Sequence, residues 1–374
     1  MNERIEKLSE IKKDKKIDAF LFTSPASLRY LCGYFYNFET GPSPFHLLPA
    51  ALFVGHSSHL VIADNETQQL PAIAPTVSVE TYESFTFEKP IDCTNQFLVQ
   101  LHKIFKQYAI GNSRIGIEQN LFPLGIARSL LTQYPGIDFV DITPELTRLR
   151  AIKENDEIEL IRKASHLSDV GQAAVLKYAK EGVTELELFS KVRLEMETAV
   201  GARVPMMTDL VSGKTTATGG GNPTNKVIEI NDLVLCDLTP CLNGYWGDSC
   251  NTMVVGSPTA EQKKIFALVN EALEMGINTI RRGVQAKEVD CVMRKHLETE
   301  GGFGHHGGHG VGLFYHEEPR IVPYNTMILE PGMVIALEPA VYKKDYGIRL
   351  EHLVFVTKDG CELLTKFKHC FEQG

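Results

Sequence analysis

"LVLCDLTPCLNGYWGDSCNTMV", residues 233–254, places one acid at the end of an apolar run and another just beyond a turn. Asp237 follows Leu233, Val234, Leu235 and Cys236, a position from which a charge is ordinarily expelled. Asn243-Gly244 is a strong hairpin signal, because a tight two-residue turn demands positive φ at both positions. With that pair as the turn, residue 237 faces residue 250, and Asp248 becomes the diagonal neighbour of Asp237 on the same face. Diagonal neighbours lie roughly 7–8 Å apart, so two carboxylates can converge on one ion or one ion pair.

A second hairpin repeats the arrangement. Glu338 lies in "VIALEPAVY" and Glu351 in "IRLEHLVFV", equidistant from Lys344-Asp345, which puts the two acids opposite one another. A lone strand-end acid is ordinarily paired with Lys or Arg, but acids brought together in apolar strands repel unless a cation joins them. Between the hairpins runs "FGHHGGHGVGLFYHEEP", residues 303–319, which sets His305, His306, His309 and His316 among glycines. His309 is the best fifth ligand, since Gly308 and Gly310 allow close approach of the backbone. Four carboxylates and one imidazole suit Mn²⁺, Co²⁺, Fe²⁺ or Zn²⁺ better than a structural zinc site would. Their chemistry points to a two-metal hydrolytic centre.

The remainder of the chain is consistent with an enzyme of ordinary composition. Its 374 residues are 43% hydrophobic and 23% charged, enough for a sizeable core and about two or three domains. A net charge of -9 argues against nucleic-acid or anionic-membrane partners. The charged opening "MNERIEKLSEIKKDKK" has no apolar core for a signal peptide, and no run reaches membrane-span length, so a cytoplasmic location is expected. The eight cysteines form no CxxC pair and read as reduced thiols. Residues 1–150 alternate strand-like and helix-like stretches, among them "DAFLFTS", "AALFVG", "HLVIAD" and "NQFLVQLHKIFKQY", which predicts an α/β domain. Beyond a boundary at 148–154, Ile158, Ile161, Ala164 and Leu167 recur at helical spacing. Thr184 with Glu187, and Thr259 with Gln262, predict capping boxes that start two further helices.

The order Asp237, Asp248, His309, Glu338, Glu351, in the settings "DLTPCLNGYWGD", "GHGVGLFYHEEP", "ALEPAVY" and "GIRLE", resembles the pita-bread metallopeptidases, which include aminopeptidase P, prolidase and methionine aminopeptidase. "DAFLFTSPASLRYLCGYF" is similar to the N-terminal domain shared by aminopeptidase P, prolidase and creatinase, and "LRAIKENDEIELIRKA" to their interdomain segment. The resemblance implies an α/β N-terminal domain over 1–150 and an α+β pita-bread catalytic domain over 151–374. It further implies two divalent ions, with Asp237 on one, Asp248 and Glu351 bridging both, and His309 and Glu338 on the other. A hydroxide bridging the metals would attack the scissile carbonyl, Glu338 would shuttle the proton, and His316 would stabilise the tetrahedral intermediate. His305 matches a second active-site histidine and Arg349 the arginine near the ligands; His306 has no counterpart role.

Two departures concern the leaving-group side. In "SGKTTATGGGNPT" Gly220 stands where proline-specific members carry a histidine, and Asn251 replaces the arginine that usually follows the second aspartate. A wider pocket beside Gly220 is expected, with weaker discrimination for proline. The leading expectation is a dinuclear metallopeptidase of the Xaa-Pro aminopeptidase or dipeptidase type, acting on short peptides and forming a homodimer. A creatinase-like carbon–nitrogen hydrolase on a small non-peptide amide is the alternative. A peptidase-like binding domain without activity would have lost ligands, and none is lost.

Overall fold

The computed structural model describes residues 3–35, 50–66 and 73–372. The chain divides into two compact units, Met1–Leu149 and Arg150–Gly374.

The first unit contains α1 (Glu3–Asp14), β1 (Ala19–Phe22), α2 (Pro25–Cys32), β2 (Ala50–Val54), β3 (Ser58–Ala63), β4 (Val77–Tyr82), α3 (Cys93–Gln107), β5 (Arg114–Ile117), α4 (Leu124–Gln133) and β6 (Asp138–Asp141). One mixed sheet runs β4-β3-β2-β1-β5-β6. Its central strands, β1 to β3, are buried along their whole length, which explains why they read as continuous apolar runs rather than alternating ones. Helix α3 turns Phe97, Leu101, Ile104 and Phe105 onto this sheet, spaced as one face of a 3.6-residue helix. "AALFVG" and "HLVIAD" form the antiparallel pair expected of them, with Leu52 opposite Leu60. The chain passes into the second unit through α5 (Thr143–Ala151).

Four helices of the second unit, α6 (Asn155–Tyr178), α7 (Glu185–Val200), α8 (Ala260–Thr279) and α9 (Ala286–Leu297), all begin with a capping box. Those at Thr184/Glu187 and Thr259/Gln262 are the expected ones. The other two use Glu154/Glu157 and Gln285/Glu288, where the cap residue is not the Ser or Thr that marks such a box in sequence.

Strands β7 (Met206–Ser212), β8 (Leu233–Leu242), β9 (Tyr245–Trp246) and β10 (Ser249–Val254) form one sheet, ordered β10-β8-β7 with β9 on β8. Val234, Cys236 and Leu238 of β8 pack with Leu167 and Ala174 of α6 and Leu188 and Val192 of α7. Because strand side chains alternate, this leaves Asp237 and Thr239 on the opposite face. The turn has Asn243 at φ 51° and Gly244 at φ 89°, and Asp237 pairs with Cys250, the register that the turn dictates.

A second sheet is ordered β12-β11-β13-β16-β17, from β11 (Gly308–Gly310), β12 (Glu317–Ile321), β13 (Val334–Leu337), β16 (His352–Val356) and β17 (Cys361–Leu363); β14 (Ala340–Tyr342) pairs separately with β15 (Gly347–Arg349). Leu337 faces His352 and Ala340 faces Arg349, so one register runs through both ladders. The ladder is interrupted between them, at the level of Glu338 and Glu351. Residues of α8 and α9, including Ile265, Val269, Val289 and Met293, cover the apolar side of these strands.

Candidate metal centre

Each acid reaches the site because its strand has another face to bury. Asp248 lies just before β10, and its Oδ1 accepts a hydrogen bond of 2.8 Å from Thr239 Oγ1, across from it on β8. Asp237 and Asp248 are close enough that, after burial, the charge of Asp237 helps to raise the pKa of Asp248, in keeping with the diagonal placement. Glu338 and Glu351 enter at the break in the other hairpin and are buried, at 7% and 1% exposure.

His309 sits at the middle of β11, which is hydrogen-bonded on both edges, to β12 and to β13. A Cβ on Gly308 would stand 2.1 Å from the Ala336 carbonyl oxygen, and one on Gly310 would stand 2.3 Å from that of Glu318. The flanking glycines are therefore required by close packing of backbone on backbone. His309 Nδ1 donates to the Gly310 carbonyl at 3.0 Å, which fixes the ring so that Nε2 faces the acids. Nε2 lies 3.5 Å from Glu338 Oε1 and 3.8 Å from Asp248 Oδ2.

Two groups of donor atoms result. Those of Asp248, His309 and Glu351 lie within 4.8 Å of one another, as do those of His306, His309 and Glu338. Burial raises the pKa of Asp237, Asp248 and Glu351 above the usual carboxylate range and pushes Glu338 up to about 8, with neighbouring acids adding to the shift. Burial lowers His305 and His306 to about 4, and lowers His309 and His316 as well. Glu351 Oε2 is buried without a hydrogen-bond partner. Neutral imidazoles, crowded acids and an unsatisfied carboxylate oxygen are what a divalent cation would complete, so the donor set fits such ions.

These groups open onto a cavity of about 510 Å³. His316 lines it with its ring centroid 4.1 Å from that of His309, and Tyr315 packs edge-on against Trp246. His305 shares a 3.1 Å hydrogen bond with the Tyr342 hydroxyl. Arg349 is buried; its Nη2 donates to Asp237 at 2.6 Å and to Asp209 at 3.0 Å, and Nη1 donates to the Gly219 carbonyl at 2.6 Å.

Three residues at or beside the cavity have no role assigned to them from the sequence. His306 lies 3.2 Å from Glu338 Oε1, although nothing in its local setting separates it from His305. Tyr342 is one more aromatic in an apolar strand. Asp209 faces Asp237 across β7 and β8, and an acid within "MMTDLVS" was the available signal.

The expected widening beside Gly220 is corrected by Asp209. A Cβ on Gly220 would come within 2.0 Å of Asp209 Oδ2, and Asp209 Oδ1 accepts the Gly221 N–H at 2.9 Å. The space that the missing side chain would leave is occupied by a carboxylate. Asn251 turns away to structural work: it donates to the Cys370 carbonyl at 3.0 Å and accepts the Cys370 N–H at 3.2 Å.

Comparison with known proteins gives the same picture. Residues 159–358 match the model of metallopeptidase family M24, and residues 4–152 match the creatinase/prolidase N-terminal domain. An Xaa-Pro dipeptidase of Pyrococcus horikoshii is 31% identical over 98% of this chain and 97% of its own. The prolidase structure from Pyrococcus horikoshii OT3 superposes with a TM-score of 0.83 at 29% identity, covering 98% of this chain and 99% of that one. An X-Pro aminopeptidase structure from Thermotoga maritima gives 0.84 at 26% identity, covering 99% of both. The architecture is accordingly an α/β N-terminal domain followed by a pita-bread domain. The chain belongs to metallopeptidase family M24.

Proposed function

We propose that this metallopeptidase is a dinuclear enzyme of the Xaa-Pro type, cleaving short peptides, with residues 1–150 as its N-terminal domain and 151–374 as its catalytic domain. The observation that carries this reading is the convergence of Asp248, His309 and Glu351, and of His306, His309 and Glu338, on one cavity where, among the described residues, Arg349 is the only Lys or Arg facing the buried acids. Asp237, Asp248, His309, Glu338 and Glu351 would hold two divalent ions drawn from Mn²⁺, Co²⁺, Fe²⁺ and Zn²⁺. Ions held there would acidify water toward neutrality and polarise the scissile carbonyl.

The chain's own residues supply the rest. Glu338, which lines the cavity 3.5 Å from His309 Nε2, takes the proton of the attacking water on a carboxylate oxygen and passes it to the departing nitrogen. His316 donates a hydrogen bond to the carbonyl oxygen as negative charge develops there. His305, held by Tyr342, orients the substrate. Thr239 and the Gly310 carbonyl keep Asp248 and His309 in position. A cytoplasmic homodimer is part of the same reading; eight free cysteines suit a reducing compartment.

The test is hydrolysis of a dipeptide and tripeptide panel, with and without proline after the scissile bond, by protein loaded with each metal in turn. Metal-dependent release of the N-terminal residue from Xaa-Pro substrates is expected. Full activity at verified zero metal content, or turnover of non-peptide amides alone, would refute the assignment.

A further inference from the structure

Among the described residues lining the cavity, Arg349 is the only Lys or Arg. It would be the natural partner for a free carboxylate on a bound peptide, yet its guanidinium is engaged by Asp209, Asp237 and the Gly219 carbonyl. Asp209 itself is 37% exposed at the side chain, so its carboxylate forms part of the wall. It is held in place by the Gly221 N–H and faces the bare backbone of Gly220, where any side chain would collide with it. That wall of the cleft thus presents a carboxylate and a backbone carbonyl, both acceptors. A carboxylate arriving there meets like charge and finds no free cation, whereas an amide N–H or an ammonium finds acceptors.

We propose that Asp209 is a specificity-determining residue that turns the cleft away from free dipeptides and toward peptides whose C-terminal carboxylate is amidated or lies further along the chain. The enzyme is then an aminopeptidase rather than a dipeptidase, a choice that relatives named for both activities leave open. The inference rests on the peptidase reading above and refines its substrate class.

The metal-loaded enzyme is assayed on Ala-Pro, Ala-Pro-amide and Ala-Pro-Ala, as the wild type, Asp209→Asn and Asp209→Ser. Asn keeps the shape of the side chain and its acceptor for Gly221, and Ser serves if the Asn variant does not fold. The wild type should favour the amide and the tripeptide over Ala-Pro by about tenfold or more in kcat/KM, the scale of a like-charge contact at a binding site. Removing the charge should cut that preference about tenfold, chiefly through a KM for Ala-Pro that falls relative to that for the amide. A wild type that prefers Ala-Pro, or a preference that neither variant moves, overturns the role of Asp209 while leaving the peptidase reading intact. Failure to hydrolyse any of the three overturns that reading and this one with it.

Discussion

Loading the site with metal should stabilise the protein by an amount that grows with pH. In the metal-free fold Glu338 has its pKa raised by burial from 4.5 to about 8. The folded chain therefore keeps a proton that the unfolded chain has lost, and the associated stability is lost as pH rises from 4.5 through 8. Histidines act in the opposite sense: burial lowers His305 and His306 from 6.5 to about 4, so stability is gained as pH rises between those values. That gain is the same with or without metal and cancels in the difference between the two forms. Cations hold the carboxylates deprotonated in the loaded fold, so only the metal-free form suffers the loss. At about 1.36 kcal/mol per pH unit, Glu338 alone should add about 1.2 kcal/mol to the metal increment between pH 6.5 and 7.5. Asp248 and Glu351, raised in the same direction, enlarge it. The assay is urea unfolding at fixed free metal, followed through Trp246, the single tryptophan, which is buried in the unit that holds the site. A metal increment that is flat or shrinks over this pH range would refute the reasoning.

Gly308→Ala should destabilise the protein by about 1–3 kcal/mol or more and lower its metal content, because the added methyl meets the Ala336 carbonyl oxygen; thermal unfolding and metal analysis check both effects. Thr239→Val removes the hydrogen bond to Asp248 and should weaken metal binding roughly 10–100-fold, read by metal titration, with near-unchanged affinity counting against it. His316→Ala should lower kcat by about 10²–10³ while both ions stay bound; loss of an ion would instead make His316 a ligand.

What was legible in the sequence was local or was carried by a turn. Asn243-Gly244 imposes a register on its hairpin, so the pairing of residue 237 with 250 followed from counting, and the symmetry of Glu338 and Glu351 about Lys344-Asp345 worked in the same way. The Thr-based caps of α7 and α8 were readable because hydroxyl and acid stand three residues apart. Contacts between elements that no turn connects were not readable. Asp209 is far in sequence from Arg349: β7 lying beside β8 sets Asp209 against Asp237, and β15 bonding to Thr252 of β10 brings Arg349 to both. Gly220 reads as empty space because its neighbour Asp209 comes from another part of the fold. The interruption at Glu338 and Glu351 is different: Pro339 marks it in the sequence, because proline has no N–H to give the ladder, and the register on either side is continuous.

The most direct test of the metal centre is a crystal structure of the protein loaded with a single divalent metal, with anomalous scattering recorded at that metal's absorption edge. Two anomalous peaks should appear in each chain, one touching Asp237, the other His309 Nε2 and Glu338, and both touching Asp248 and Glu351, at about 2.0–2.2 Å from the ligating atoms. A site that stays empty at saturating metal, or ions held by His306 or His316 in place of Asp237 or Glu351, would contradict the account.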